Sequence, residues 1–250
     1  MSIKDSLGDR MKTYEGAYRI SLPIRMPLII RLDGKSFHTY TKGCKKPVDE
    51  NIVYCMNQTA EYLCRNIQCC QLAYIQSDEI SLVLNNYLTL DASSWHDNQL
   101  QKIVSVSSGM ASAVFTSLSD RIFGVAKIAT FDSRAFVLPK EEVCNYMFWR
   151  QQDSIRNSIQ MLARSLYEHK DCNNKNSLEL QKLCLKKGVN WSDCPTSQKR
   201  GRCVIRIKKT KTGIQPTTGL EFVAERSEWI VDNEIPVFSE DRNYIEKYIL

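Results

Sequence analysis

Two short stretches carry oxygen ligands where a folded chain can bring them together. Arg31-Leu-Asp-Gly-Lys-Ser-Phe-His38 follows the apolar run Leu28-Ile29-Ile30, so Asp33 stands at the end of an expected buried strand. Gln76-Ser-Asp-Glu79 separates the apolar runs 70–76 and 80–84, so Asp78 and Glu79 sit in a hairpin-like connection. Carboxylates from neighbouring strand ends suit magnesium, which takes one or two protein carboxylates, keeps several waters and shares substrate phosphates. Two such ions about 4 Å apart stabilise both the attacking and the leaving oxygen of a phosphoryl displacement. Gly34 has no Cβ to exclude a phosphate, and its carbonyl can reach a cation. Successive N–H groups of Lys35, Ser36, Phe37 and His38 can form an anion-binding nest, and Lys35, Lys42, Lys45 and Lys46 would offset phosphate charge. An Asp-Gly pair alone marks only a turn. The second acidic stretch is what makes it half of a candidate site.

The elements expected to position these groups follow from periodicity. A helix is expected over 3–16, capped by Asp5 or Ser6, with Leu7, Met11 and Tyr14 on one face. Pro23 and Pro27 precede the first strand, 26–33. Asp49 opens a long helix marked by Ile52, Val53, Met56, Ala60, Leu63 and Ile67. Strands 70–76 and 80–84 come next, then a helix over 98–119 rich in small residues, then a β run over 125–131 with a short continuation to Leu138. Pro139 and Glu141-Glu142 open a helix to about 169, and 178–187 is a short helix stopped by Gly188. Strand, helix, strand, strand, helix, strand is the split-βαβ, ferredoxin-like order, which sets the end of the first strand beside the following hairpin. The fold class is therefore α+β: a ferredoxin-like polymerase palm, antiparallel and helix-packed, over residues 1–137. Residues 138–250 are expected to add a C-terminal helical region with a basic β arm that completes the same catalytic unit.

That arm begins at Lys199-Arg-Gly-Arg-Cys-Val-Ile-Arg-Ile-Lys-Lys-Thr-Lys211, where Cys203, Ile205 and Ile207 alternate with Val204, Arg206 and Lys208. It fits a phosphate-tracking surface or a lysine-protected sheet edge equally well. A turn over 212–219 and a return strand over 220–224 should follow, with an irregular tail from 228 that ends helical. The 250 residues and net charge of +6 allow a nucleic-acid or nucleotide partner without demanding one. No apolar run reaches membrane-spanning length, and the N-terminus resembles neither a secretory signal nor a transit peptide, so a soluble cytoplasmic protein is expected. Ten cysteines are then expected as thiols. His169 and Cys172 lack a second half-site for zinc, and three histidines leave little for Ser-His chemistry.

Five motifs in order resemble the tRNA-histidine guanylyltransferase family: residues 31–38, Lys46-Pro47, Gln76-Ser-Asp-Glu79, Phe131-Asp-Ser-Arg134 and Trp149-Arg-Gln151. The resemblance implies addition of nucleotides to RNA 5′ ends in the 3′-to-5′ direction on a polymerase-like palm. Members dedicated to tRNA-histidine carry a His-Ile-Asn-Asn-Leu-Tyr-Asn stretch, where this chain has Ile155-Arg-Asn-Ser-Ile-Gln-Met161 and matches clearly only at Asn157. Gly188-Val-Asn-Trp191 and Gln198-Lys-Arg-Gly-Arg202 are similar to the guanylyltransferase-like branch, which repairs truncated tRNAs against a template. Template-dependent 5′ repair is the expected activity. Single-guanylate addition to tRNA-histidine, another palm activity such as a nucleotide cyclase or dinucleotide synthase, and an inactive tRNA-binding module stand as alternatives.

The resemblance implies two magnesium ions on Asp33, Asp78 and the Gly34 carbonyl, with Glu79 as a further ligand. It implies a nucleoside triphosphate on the backbone of Lys35, Ser36, Phe37 and His38, and an activating ATP or GTP on Lys46 and Ser77. By the same resemblance Arg134, Arg150, Asp153 and Asn157 would fall near the incoming nucleotide, Lys199, Arg200 and Arg202 would meet phosphate or tRNA, and the assembly would be a homotetramer. A 5′-monophosphate lacks a good leaving group. Nucleotidylation supplies one, and a 5′-triphosphate makes that step unnecessary. Plainer roles compete: Arg134 pairing with Asp132, Asp153 and Arg156 as surface charges, His38 bonding within its loop, and Trp149 as a core residue rather than a stacking platform.

Overall fold

The computed structural model describes residues 6–89, 91–125, 127–214 and 221–249. Of the expected features, residues 3–5 of the first helix, most of the 212–219 turn and residue 220 of the return strand lie outside them. One six-stranded antiparallel sheet organises the chain, in the order β4-β1-β3-β2-β5-β6. Its strands are β1 (Leu28–Gly34), β2 (Cys70–Gln76), β3 (Glu79–Leu84), β4 (Phe131–Val137), β5 (Arg202–Ile214) and β6 (Glu221–Asp232). The first four give the 4-1-3-2 order of the split-βαβ unit, and β5 and β6 extend the same sheet beside β2.

Helices α1 (Ser6–Gly16), α2 (Phe37–Tyr40), α3 (Glu50–Asn66) and α4 (Leu100–Phe123) precede β4, and α5 (Lys140–Leu166) follows it. The short helices α6 (His169–Cys172), α7 (Ser177–Lys186) and α8 (Thr196–Arg200) lead into β5, and α9 (Asn243–Glu246) lies near the end. Strand alternation divides the core. Ile30, Leu32, Ile75, Ile80 and Leu82 pack with Met56, Leu63 and Phe115 of α3 and α4. Ile29, Leu72, Tyr74 and Val83 pack with Val143, Cys144 and Met147 of α5. Beyond the sheet, Ile159, Leu162 and Ala163 of α5 pack with Leu180 and Cys184 of α7. The Asp49 carboxylate caps α3 from outside, accepting from the Asn51 N–H at 3.0 Å, and its other oxygen accepts from the Lys45 N–H at 2.9 Å.

Four expectations change. Of the expected run 125–131, residue 126 lies outside the described residues, 125 and 127–130 are not strand, and β4 begins only at Phe131. The run's backbone groups are bonded elsewhere: Thr116 accepts from the Ala129 N–H, Ser112 accepts from the Phe131 N–H, and Ser108 donates to the Phe131 carbonyl. The small residues of α4 thus bring their hydroxyls close enough to replace a ladder. Helix α1 forms, yet Leu7, Met11 and Tyr14 are all exposed. The return strand is longer than expected, running to Asp232, so the tail from 228 is not all irregular. Lys199 and Arg200 lie on α8 rather than in the basic strand.

The start of β5 is buried on both faces, Val204 toward α3 and Cys203 and Ile205 toward α5, and Arg206 and Lys208 are exposed further along. Lys208 and Lys209 face Glu225 and Glu228 of β6 at 3.6 and 2.6 Å, which offsets part of the basic face. All ten cysteines are free. Among the described residues no helix is long and apolar enough to cross a membrane.

Candidate active site

Register alone brings the acidic groups together. Asp33 lies opposite Glu79 on β3 and Asp132 on β4, so all three Cα–Cβ bonds leave the same face of the sheet. Asp78 occupies the two-residue turn between β2 and β3, where Ser77 takes a positive φ of 48°. The Gly34 N–H donates to the Asp78 carbonyl at 3.2 Å and ties the two ends together. Gly34 tolerates no side chain, because an added Cβ would stand 2.2 Å from the Phe37 ring. That ring is buried against Tyr40, Phe115 and Phe131 and anchors the start of α2.

Burial and like charges act in the same direction at both acids. Burial first, then Asp132, pushes the Asp33 carboxyl above its ordinary range, against Arg31 and Arg134, which pull it down. Burial and then Asp33 do the same to Asp78. Two carboxyls raised by burial, each with a further carboxylate beside it, form a site that a hard cation stabilises. Among the described residues no three His, Cys, Asp or Glu side chains converge as a closed metal cage. Two half-buried carboxylates at adjoining strand ends fit magnesium, which takes its other ligands from water and substrate.

Glu79 reaches the same face, but its carboxylate accepts from Arg150 at 2.9 Å, with both side chains 7% exposed. Burial raises its pKa and the guanidinium pulls it back. Arg150 also lies 3.5 Å from Asp153, which pairs in turn with Arg156 at 2.8 Å. Arg134 is exposed and sits 3.4 Å from Asp132.

A cavity of about 390 Å³ opens beside the turn. Phe37, His38, Lys46, Ser77, Asp78, Asn157 and Arg202 line it, together with apolar groups such as Ile52, Val53, Met161 and Trp191. Lys35, Ser36, Asp33, Gly34, Arg150 and Asp153 do not. The Lys35 N–H is already bonded to the Thr130 carbonyl at 2.8 Å, and Ser36, left-handed at φ 56°, leaves the first N–H groups of α2 without a side-chain cap.

Of the expected phosphate-contacting residues, Lys199 bonds the Ser192 carbonyl and Arg200 the Ile235 carbonyl at 3.1 Å. Arg202 lines the cavity, but it is 4% exposed and bonded inward to Asn57 and Val53. Among the described residues it has no carboxylate partner, and burial lowers its pKa to about 10. The sequence alone assigned no role to Arg31, Gln76 or Trp191, and to Asp132 only a pairing with Arg134. All four lay inside quoted motifs, but only the folded sheet shows that Arg31 and Asp132 flank Asp33. Among the described residues Arg31 Nε and Gln76 Oε1 are buried without a hydrogen-bond partner.

A 4-1-3-2 antiparallel sheet with acids at the adjoining ends of its first strand and central hairpin is the palm of nucleotidyl-transferring enzymes. A family model described as Thg1, tRNAHis guanylyltransferase, matches residues 8–139. The chain belongs to this family of nucleotidyltransferases. It is similar to a bacterial tRNA(His) guanylyltransferase (Thg1)-like protein solved in complex with ATP, at 46% identity and a TM-score of 0.88 over 98% of this chain and 99% of that one. A structure of such a protein in complex with GTP matches at 45% identity and a TM-score of 0.80 over the same shares. The tRNA(His) guanylyltransferase of Schizosaccharomyces pombe is 27% identical over 212 residues, 78% of each chain.

Proposed function

We propose that this chain is a template-dependent 3′-to-5′ nucleotidyltransferase that activates and extends the 5′ end of truncated tRNA. The observation that carries the reading is the convergence of Asp33 and Asp78 beside a nucleotide-sized cavity lined by Lys46, Ser77 and Asn157. Asp33, Asp78 and the Gly34 carbonyl are the groups that would hold magnesium, and Glu79, engaged by Arg150, is the more remote candidate. Bound there, magnesium would neutralise the developing charge on a transferring phosphoryl group. The chain's own residues bind and orient. Lys46, Ser77 and the backbone at 36–38 hold the triphosphate of an activating ATP or GTP, and the apolar walls take its base.

The RNA 5′-monophosphate attacks the α-phosphate of that nucleotide and releases pyrophosphate. The 3′-hydroxyl of the next nucleoside triphosphate, oriented by residues among Arg134, Arg150, Asp153 and Asn157, then attacks the activated 5′ phosphate and displaces the nucleoside monophosphate. A 5′-triphosphate end would release pyrophosphate directly. Catalysis of this kind rests on positioning and electrostatics rather than on a protein base.

Repair is favoured over obligatory single-guanylate addition because residues 155–161 carry no histidine and match the dedicated stretch clearly only at Asn157. Single-guanylate addition remains the second reading, supported by the likeness to the S. pombe enzyme. Retention of Asp33 and Asp78 speaks against an inactive tRNA-binding module. Residues 138–250 are read as part of the same catalytic unit, Lys199 and Arg200 as tRNA-facing, the assembly as a homotetramer and the location as cytoplasmic. The test compares 5′-truncated tRNAs with full-length tRNA-histidine as acceptors. Strong preference for the full-length species, with truncated ones ignored, would overturn the repair reading.

A further inference from the structure

Trp149 stands where the sequence pattern expected a core residue, yet it is 47% exposed. One face of its ring is covered by the Arg150 guanidinium, 3.6 Å from the ring centroid. That guanidinium is buried and bonded to Glu79, the cross-strand partner of Asp33. The indole is therefore held by the groups that border the carboxylate site. Its orientation is fixed further by Tyr146, 5.8 Å away, which packs on Phe136 of β4 at 5.4 Å. Phe136, Arg134 and Asp132 alternate along β4, so the exposed Arg134 shares the sheet face that carries Asp33.

We infer that the exposed face of Trp149 is a stacking platform for a nucleobase of the substrates, with Arg134 placed to meet the attached phosphate. The chemistry is a planar π face joined to an anion a few ångströms away. Stacking on an exposed aromatic ring accepts any base, and a guanidinium beneath the ring fixes it in place. The base comes either from the incoming nucleoside triphosphate or from the 5′ end of the RNA, and both bring a phosphate to the carboxylates. This inference rests on the nucleotidyltransferase reading of the site. It adds a subsite outside the cavity, which Trp149 does not line.

The experiment compares the full-length protein with Trp149→Ala and Trp149→Phe. Nucleotide incorporation is measured with magnesium while GTP and a 5′-triphosphorylated, 5′-truncated tRNA are varied in turn. Trp149→Ala is expected to raise KM for one substrate about tenfold while kcat stays within about twofold, and Trp149→Phe to restore most of the loss. A raised KM for GTP assigns the base to the incoming nucleotide, and a raised KM for tRNA assigns it to the RNA end. The same substrate alone should quench wild-type tryptophan fluorescence more than that of Trp149→Phe, because Trp191 still reports on the cavity. Unchanged KM for both substrates would overturn the inference, as would lower kcat and thermal stability without a KM change, or loss of self-association in Trp149→Ala. Failure of the wild type to extend any RNA would refute the proposed function. The fluorescence arm, run with GTP and with tRNA separately, would still decide the platform.

Discussion

Replacing Arg150 with methionine should remove the guanidinium from Glu79 while keeping a long apolar stem under Trp149. Both partners are 7% exposed, and among the described residues the Glu79 carboxylate has, apart from Arg150, only the Ser81 hydroxyl at 3.4 Å. Breaking a buried pair on one side leaves an uncompensated charge and costs about 3–5 kcal/mol. For a chain of this size each kcal/mol moves Tm by about 2–4 °C, so Arg150→Met should melt about 6–20 °C lower at pH 7. Glu79→Gln should cost less, about 1–2 kcal/mol, because Arg150 keeps Asp153 at 3.5 Å. The double variant should recover most of the Arg150→Met loss.

The pH dependence has a defined sign. Burial already raises the Glu79 pKa, and losing the guanidinium raises it further. A carboxyl with a raised folded pKa costs stability above that pKa and ceases to cost it as pH falls below its unfolded value. The Arg150→Met deficit should therefore shrink from pH 8 toward pH 4. Thermal melts of the four proteins across that range decide the matter. A drop under about 2 °C, or a double variant no better than Arg150→Met, would refute the buried-pair reasoning.

Asp33→Asn and Asp78→Asn should each abolish nucleotide incorporation. Their metal-free melting temperatures at pH 7 should be unchanged or higher, since both carboxyls have raised pKa values, and any gain should vanish as pH falls below the ordinary carboxylate range. Gly201→Ala should cost about 2–4 kcal/mol in a urea melt, because φ is +83° and the new Cβ would meet the Ile75 carbonyl at 2.5 Å. Asp49→Ala should lower stability by about 1 kcal/mol. It should also raise KM for the activating nucleotide in a steady-state assay, since Asp49 holds the Lys45 N–H beside Lys46.

Strands β1, β2 and β3 and helix α3 were legible because their apolar runs are long, bounded by turn residues and, for α3, capped by Asp49. Their order was enough to place Asp33 beside the Asp78 turn. The start of β4 was not legible, because side-chain hydroxyls of α4 satisfy backbone groups at 129–131 and no periodicity records that. The core assignment of Trp149 failed for a related reason. The buried face of α5 contains Arg150, Gln151 and Ser154, so three polar residues of that stretch point inward while Trp149 is exposed. Glu79 and Arg150 lie 71 positions apart, and only the folded sheet shows that they pair. The cavity likewise joins residues from the 37–53 loop and helix to those at 191–202, across β2 and α5.

Templated 5′ extension is tested by offering the purified protein radiolabelled nucleotides, magnesium and a 5′-truncated, 5′-triphosphorylated tRNA whose template base is varied. Incorporation of the nucleotide complementary to the opposing base is expected, lost in Asp33→Asn and Asp78→Asn. Incorporation of guanylate regardless of the opposing base, or incorporation that persists in either variant, would contradict it.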